Sequence, residues 1–544
     1  MSAAFIALLL AATMAAGTAA QAPPADARIA KVDDIFKTYA RPDSPGCAVG
    51  VYKDGGVLHT GAYGMANLDH DVPLTPRSVF HVASVSKQFT AAAILLLAQD
   101  GKLSLDDAVR KHVPELADFG EPVTIRHLIH HTSGIRDQWT LLGLAGWRYS
   151  RDLISDDDVM SLLSRQKELN FRPGERYLYS NSGYTLLAII VNRVSGKTFR
   201  EFTTERIFKP LGMTNTFFRD NFNEVVKHQA YGYAPAGSAF RLSVTNFDTA
   251  GATSLLTTVE DLAKWNANFE KPLVGGDALI AGMLERGVLR DGTRIPYASG
   301  LAHGTSDGLP TVSHGGSDAG YRSAFVRFPE QRLGAAVLCN VSTANPTLLA
   351  NRVAGVYLGD LMKRVTAPAA ADEPEVPVPA EALARLAGVY WNDADSVSRR
   401  FVAADGKLHA LQGDEPRALR PVGNGKFLVP GTLIFFVFDG DVVTSNTGDV
   451  LRRAEPFSPA PSDLEEFAGA YRSDEVDVVW RLRVDGQVIR LERLKNRSAQ
   501  IQPLVADTFS SPAGVLRFTR DMNGRIDGFT LEAGRVRGLR FRKD

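Results

Sequence analysis

The stretch that decides the fold is residues 84–97, which read SVSKQFTAAAILLL. From residue 88 onward it is apolar on every face, which predicts a helix buried on all sides. Ser84 then lies at the N-terminus of this helix, where backbone N–H groups lack partners and the helix dipole favours negative charge. Lys87 follows one turn later on the same face. Because burial disfavours the charged ammonium, this spacing predicts a hydroxyl beside an amine that can accept its proton.

A Ser-x-x-Lys spacing is not specific by itself. The chain holds a second copy at 164–167, in the middle of an amphipathic segment, 156–169, which we interpret as an ordinary solvated helix. For Ser84 and Lys87 the alternative is a helix cap followed by an ion-pairing lysine. Two further motifs favour the chemical interpretation.

The second motif is Tyr179-Ser180-Asn181, just after a Pro-Gly-Glu turn. A tyrosine near Lys87 can share its proton, act as the base toward the serine, and later protonate the leaving group. Asn181 can bind a substrate amide and hold the lysine. The alternative is a buried tyrosine with a satisfied hydroxyl and an asparagine in a turn.

The third motif, HGGS at 314–317, ends an apolar strand. Gly315 and Gly316 let a substrate backbone approach closely. The N–H groups of Ser317 and Ser84 can form an oxyanion hole.

The order and spacing of the three motifs resemble the penicillin-recognising serine hydrolases, which include class C β-lactamases, D,D-peptidases, D-aminopeptidases and related esterases. The resemblance covers about residues 29–364 and implies acyl transfer without a His/Asp pair. In many relatives a Lys-Thr-Gly triad occupies the third motif, whereas here His314 takes the lysine position, as in D-aminopeptidases and some esterases. The change argues against strong β-lactamase activity, because the lysine helps to hold the β-lactam carboxylate. Arg322 either offsets this loss or is a plain surface residue.

The resemblance implies a hydrolase without cofactor or metal, acting on a small peptide, amide or ester. A D-aminopeptidase or D-amino-acid amide hydrolase fits best, with a broad-specificity carboxylesterase and a non-catalytic sensor of peptidoglycan fragments as alternatives. The candidate catalytic residues are Ser84, Lys87, Tyr179 and His314. The candidate substrate-binding and oxyanion residues are Asn181, Gly315, Gly316 and Ser317.

Length and composition limit the number of domains and the kinds of partner to expect. A chain of 544 residues predicts two or three domains. Basic and acidic residues number 61 each, so net charge gives no reason to expect nucleic acid or an anionic membrane as partner. Residues 1–22 combine a short apolar run with small residues, which predicts an export signal and a periplasmic or secreted protein; the alternative is an uncleaved membrane anchor. The sequence carries no signal of the oligomeric state.

The two cysteines, Cys47 and Cys339, both lie in apolar strand-like runs, which are typical of buried thiols. In the family that the motifs resemble, these two strands are neighbours in one sheet. A disulfide is therefore one alternative and two free thiols are the other.

The element pattern predicts an α+β, β-lactamase-like catalytic domain over 23–365: an antiparallel sheet with helices, in which the first and last strands share one sheet, plus an all-helical region facing it. A Pro- and Ala-rich linker is predicted at 366–380. The rest has short strands and Asp-Gly turns, and it repeats: LAGVY at 386–390 matches FAGAY at 467–471. This repeat predicts two all-β small barrels, 381–457 and 461–544, or else one larger barrel made from both halves.

Overall fold

The computed structural model describes residues 27–359, 361–362, 373–412, 415–430, 432, 434–495 and 498–544. The predicted export signal and residues 366–372 of the predicted linker lie outside these ranges. Residues 373–380 pack on the first β-domain, where Lys426 donates to the Glu373 carboxylate at 2.7 Å. No helix of the described ranges is long and apolar enough to cross a bilayer.

A six-stranded antiparallel sheet is the centre of the first domain. Its strands, in spatial order, are Ala302–Ser306, Leu309–Asp318, Tyr321–Phe328, Leu333–Cys339, Cys47–Lys53 and Gly56–Tyr63. The first and last strands share this sheet as predicted, and they are neighbours, as the family resemblance implies, with the register Cys47↔Cys339. The edge strand that precedes the third motif was not predicted, because its sequence, AHGTS, has little apolar character.

Two helices cover one face of this sheet, Ala27–Phe36 and Pro346–Leu358. Their apolar residues form one core with the outer side chains of the sheet, among them Val49 and Val337. The opposite face packs against the helical region, so the central strand Cys47–Lys53 is buried on both faces.

The helical region faces the sheet and carries the site. Its helices are Lys87–Gln99, Ile125–Ile129, Gln138–Leu144, Asp156–Ser164, Asn181–Ser195, Phe199–Thr203, Lys209–Leu211, Val259–Asn268 and Gly276–Leu284, with 3₁₀ turns at Ala83–Ser86 and Val109–Lys111 and a π turn at Thr204–Phe208. Short strands between them are Met65–Asn67, Val72–Pro73, Phe80–His81, Ile154–Ser155, Phe217–Phe218, Tyr233–Ala236, Ala239–Leu242, Phe247–Asp248 and Leu255–Thr257.

The second Ser-x-x-Lys copy is not in mid-helix, contrary to our prediction. Its helix ends at Ser164, and the Lys167 N–H donates to the Glu475 carboxylate at 2.9 Å. The C-terminal β-domain therefore binds the backbone where the sequence pattern suggested another helical turn.

The disulfide is formed: Cys47 and Cys339 are bonded across the two paired central strands. Both side chains are buried. The alternative of two free thiols is thus wrong.

The first β-domain is a nine-stranded antiparallel sheet preceded by the helix Ala380–Leu386. Its strands are Gly388–Asn392, Val397–Ala404, Lys407–Gln412, Glu415–Ala418, Arg420–Pro421, Lys426–Leu428, Phe435–Asp439, Val442–Ser445 and Val450–Ala454. The two edge strands, Glu415–Ala418 and Arg420–Pro421, follow each other in the chain, so the sheet curls almost into a barrel.

The second β-domain is a closed eight-stranded barrel. Its strands are Gly469–Ser473, Val478–Asp485, Val488–Glu492, Ala499–Val505, Thr508–Ser511, Gly514–Arg520, Ile526–Ala533 and Val536–Lys543. The internal repeat is visible in three dimensions, because the Tyr390 and Tyr471 hydroxyls each donate to the carbonyl four residues earlier. The chain thus has two separate β-domains and not one larger barrel made from both halves.

The barrel is fastened to the helical region by a buried ion pair. Arg136 donates to the Glu475 carboxylate at 2.6 Å, and the two side chains are 0% and 6% exposed. Gln166 joins them, accepting from Arg136 at 3.0 Å and donating to the Glu475 carbonyl at 3.0 Å. This contact brings one hairpin of the barrel beside the first and second motifs.

Candidate active site

Ser84 lies in the tight turn Ala83–Ser86, directly before the buried helix Lys87–Gln99. Ala83 has φ +49°, a conformation that is unfavourable for a residue with a Cβ and is found where structure around it fixes the chain. The Ser86 hydroxyl provides part of that constraint, since it donates to the Ala83 carbonyl and accepts from the Leu255 N–H. The turn presents Ser84 at the helix N-terminus, as predicted.

Lys87 is fully buried and makes three hydrogen bonds. Its Nζ donates to the Ser84 Oγ at 3.1 Å, to the Asn181 Oδ1 at 2.9 Å and to the Ala252 carbonyl at 2.7 Å. Burial lowers the pKa of Lys87 to about 7, even though the carboxylates of Asp318 and Asp137 act in the opposite direction. Near neutral pH a large fraction of this amine is therefore uncharged and able to accept the Ser84 proton.

Asn181 is held by a carboxylate that sequence reasoning missed. The Asp137 Oδ2 accepts from the Asn181 backbone N–H and from its Nδ2, both at 2.8 Å. The amide oxygen is thereby turned toward Lys87. The only local signal of Asp137 is a helix cap before Gln138–Leu144, which predicts structure and not a contact with the second motif.

Tyr179 packs over the amine, with the Lys87 Nζ 4.9 Å from its ring centre. Its hydroxyl is buried and makes no hydrogen bond within the described residues. Burial raises the pKa of Tyr179, and the neighbouring Ser84 hydroxyl and Arg535 guanidinium act against that rise. Tyr179 is thus a protonated phenol beside the nucleophile.

His131 packs beside Tyr179 and helps to hold the second motif in place. Its ring packs against the Tyr179 ring at a tilt of 38° with centres 4.2 Å apart, and its Nδ1 accepts from the Ser180 N–H at 3.1 Å. Burial holds the pKa of His131 well below its usual value, so the imidazole is neutral.

His314 stands in the same aromatic cluster but makes no hydrogen bond to Ser84, Lys87 or Tyr179. Its Nε2 lies 2.9 Å from the Tyr297 hydroxyl and its Nδ1 lies 2.6 Å from the Gly315 carbonyl. The carbonyl requires a proton on Nδ1, so Nε2 accepts from the tyrosine. Burial lowers the pKa of His314 to about 4, which keeps the ring neutral.

The glycine strand packs against the nucleophile turn. A Cβ on Gly316 would lie 2.3 Å from the Val82 carbonyl oxygen, whereas one on Gly315 would meet its nearest atom at 3.5 Å. The Ser323 hydroxyl, on the next strand, also donates to the Val82 carbonyl at 2.7 Å. Gly316 is therefore required by the chain itself, and the space at Gly315 stays open for a ligand.

One edge of this strand is open beside the site. The neighbouring strand Ala302–Ser306 pairs with 309–313 only, so residues 315–317 have a partner on the other edge alone. An open strand edge can add a peptide backbone by main-chain hydrogen bonds.

A hairpin of the second β-domain, which carries Arg535, lies beside the three motifs. The carbonyl of Arg535 accepts from the Asp137 N–H at 3.2 Å and from the Asn170 Nδ2 at 2.9 Å. Its guanidinium lies 4.9 Å from the Tyr179 ring centre. The alternation of apolar and polar residues on either side of a Gly at 534 indicates a hairpin in the sequence. Nothing in the sequence indicates where this hairpin docks.

Residues 32–354 match the Beta-lactamase protein family. The D-aminopeptidase of Brucella ovis is 26% identical over 527 residues, which cover 92% of this chain and 96% of that protein. The D-aminopeptidase of Gluconobacter oxydans is 27% identical over 454 residues, covering 80% and 81%. The octameric penicillin-binding protein homologue from Pyrococcus abyssi superposes with a TM-score of 0.56 at 25% identity, over 87% of this chain and all of that one.

With its fold, its three motifs and this match over more than half of its length, the chain belongs to the beta-lactamase family of penicillin-recognising serine hydrolases. Within the family it is a D-aminopeptidase-like serine hydrolase.

Proposed function

We propose that this chain hydrolyses amides or short peptides of D-amino acids through an acyl-enzyme on Ser84. The observation that carries the proposal is the buried Lys87, hydrogen-bonded to the Ser84 hydroxyl with a pKa of about 7. A nucleophile paired with a half-deprotonated amine is the arrangement that covalent acyl transfer needs.

In the acylation step the Ser84 Oγ attacks the substrate carbonyl carbon and Lys87 takes the hydroxyl proton. The N–H groups of Ser84 and Ser317 would bind the oxyanion. As the C–N bond breaks, the leaving nitrogen receives a proton from Tyr179, which is reprotonated from Lys87. Because burial raises the pKa of Tyr179, the lysine suits the role of base and the phenol the role of donor.

In the second step a water molecule attacks the ester carbon of the acyl-enzyme. Lys87 again accepts a proton, now from the water, and returns it to the Ser84 oxygen as the C–O bond breaks. The products are a free acid and the restored hydroxyl. His314, whose two ring nitrogens are engaged, is assigned to shaping the pocket and not to proton transfer.

The preference for D-residues rests on the comparisons. Similarity to the Brucella D-aminopeptidase covers 92% of this chain, so it includes at least part of both β-domains as well as the catalytic domain.

We also propose that the protein works outside the cytoplasm. The disulfide between Cys47 and Cys339 supports this, because such bonds persist in oxidising compartments. The apolar stretch at 1–22 lies outside the described residues and supports it from sequence alone.

The test is hydrolysis of D-alanine p-nitroanilide by the purified chain, with short p-nitrophenyl esters as comparison. We expect turnover that Ser84→Ala abolishes and that Ser164→Ala, in the second Ser-x-x-Lys copy, leaves unchanged. Ester hydrolysis that far exceeds anilide hydrolysis would favour the carboxylesterase instead.

A further inference from the structure

The tip of one barrel hairpin, residues 533–536, is fixed beside the nucleophile by its main chain. The Arg535 carbonyl accepts two hydrogen bonds from the helical region, from the Asp137 N–H and from the Asn170 amide. The Arg537 N–H donates back to the Asn170 Oδ1 at 2.7 Å. The position of this hairpin tip therefore does not depend on the Arg535 side chain.

The Arg535 side chain itself points to the site, and its guanidinium N–H groups are free to donate to a ligand. The Arg535 guanidinium lies over the Tyr179 ring and is 45% exposed. The nearest carboxylate is Asp137, at 3.8 Å, and its Oδ2 already accepts two hydrogen bonds from Asn181. Within the described residues, the contacts of the guanidinium are the Tyr179 ring and this 3.8 Å ion pair, which is longer than a hydrogen bond. Five N–H donors on a planar fork are thus available to a ligand.

The carboxylates around the nucleophile are not available to balance this charge at the surface. Asp137 and Asp318, whose charges act on Lys87, have side chains that are 1% and 8% exposed, and both are hydrogen-bonded to the protein. Glu532, on the same hairpin, accepts from the Gly538 N–H at 2.9 Å. The exposed charge over the Tyr179 ring is therefore positive.

We infer that Arg535 is a specificity residue that binds a carboxylate on the leaving group of the substrate. The inference rests on the proposed function, in which Tyr179 protonates the leaving nitrogen. Since the guanidinium lies over that same tyrosine ring, it faces the part of the substrate just beyond the scissile bond. A carboxylate is the group that an arginine fork matches with two parallel hydrogen bonds. The substrate class is then a short D-residue peptide in which one residue with a free carboxylate follows the scissile bond.

The test compares two dipeptides that differ only at this group, D-alanyl-D-alanine and D-alanyl-D-alaninamide. Release of the C-terminal residue is followed by chromatography, and kcat/KM is obtained for each. We expect a preference of about tenfold for the free acid, the size expected for a charge-assisted hydrogen bond. Arg535→Gln reduces the preference to about one, Arg535→Lys keeps part of it, and Arg535→Glu reverses it.

Arg540→Gln is the matched control. Arg540 lies on the strand Val536–Lys543, which follows the hairpin tip, and pairs with Glu168 of the helical region, but its side chain is 69% exposed and its partner is outside the three motifs. This variant should keep the full preference. Labelling of Ser84 by a fluorophosphonate shows whether each variant retains a folded site.

The outcomes separate this inference from the proposed function. Equal rates on the two dipeptides, or a preference that Arg535→Gln leaves intact, would overturn the role of Arg535. Turnover of D-alanine p-nitroanilide with neither dipeptide cleaved would also overturn it while leaving the proposed function in place. Absence of turnover on all three compounds would remove the proposed function, and the inference with it.

Discussion

At the scale of single residues, the charge on Lys87 controls the proposed chemistry. Desolvation moves the pKa of this lysine from 10.5 to about 7, so the amine is a base above that pH and an ammonium below it. We expect kcat/KM to fall about tenfold for each pH unit below 7 and to level off above it. A pH–rate profile on a substrate without titratable groups near 7 measures this limb. An acid limb at pH 4 to 5 would assign the base role to another group.

Removing that amine tests the same residue directly. Lys87→Met keeps the volume and the apolar packing of the buried helix but leaves Ser84 without an acceptor. Loss of a general base reduces turnover by about 10² to 10⁴-fold. Steady-state kinetics measure the loss, and Lys167→Met is the control from the second Ser-x-x-Lys copy. Retained activity in Lys87→Met would contradict the proposed proton path.

The residues of the three motifs were predictable because each motif is local in the chain. The residues that position them were not, since the contact of Asp137 with Asn181 spans 44 residues. Arg535 lies still farther along the chain and meets Tyr179 only through the docking of the barrel. Sequence patterns report neighbours along an element, and these contacts depend on how elements pack.

At the scale of elements, the junction between the glycine strand and the nucleophile turn is tightly packed. Gly316→Ala would place a Cβ 2.3 Å from the Val82 carbonyl oxygen and from the Ser323 hydroxyl. We expect the strand to shift and turnover to fall by at least tenfold, because small displacements of the oxyanion donors are costly. Gly315→Ala is the control for stability, since its Cβ would make ordinary contacts. Thermal unfolding followed by circular dichroism measures the stability of both variants, and kinetics measure the turnover of Gly316→Ala. Equal stability in the two variants would refute the packing argument.

The disulfide also acts at the scale of elements, because it joins the two central strands of the sheet. Its cysteines are separated by 292 residues, so the bond closes a long loop in the unfolded chain. Replacing both by Ala should lower the free energy of unfolding by about 2–4 kcal/mol. Denaturant unfolding with and without reductant measures it. The expectation would be contradicted if the reductant lowered the free energy of unfolding of the native chain no more than it lowers that of the double variant.

The shared sheet of the first and last strands was predictable from the apolar runs and from the family that the motifs resemble, but the edge strand Ala302–Ser306 was not. The ends of the helices were less predictable from the sequence. The amphipathic pattern over 156–169 continues past Ser164, yet the helix ends there, and the Lys167 N–H donates to the Glu475 carboxylate of the barrel.

At the scale of the whole molecule, the buried pair Arg136–Glu475 couples the barrel to the catalytic domain. Arg136→Met leaves the Glu475 carboxylate buried with the Lys167 N–H but without its cation. Breaking a buried pair in this way costs about 3–5 kcal/mol. We expect the barrel to undock more often, with faster proteolysis between the domains and a lower preference for substrates with a free carboxylate.

An exposed ion pair across the same interface provides the control. Arg540→Gln removes a contact with Glu168 in which both side chains are largely in solvent, and such pairs contribute little. Equal proteolysis rates in the Arg136 and Arg540 variants would show that the buried pair does not hold the barrel.

The internal repeat allowed the two β-domains to be predicted from the sequence, but not their different roles. Both begin with the same strand and tyrosine contact, yet the second barrel places a hairpin at the site. That difference arises from which surface docks, and no local pattern encodes it.

The most direct test of the central claim is covalent labelling of Ser84 during turnover of a D-amino-acid substrate. Rapid acid quenching of the enzyme with D-alanine p-nitroanilide, followed by peptide mass analysis, should find the D-alanyl group on the peptide that contains Ser84, and Ser84→Ala should carry none. Turnover without an acyl group on that peptide, or with the group on another residue, would contradict the account.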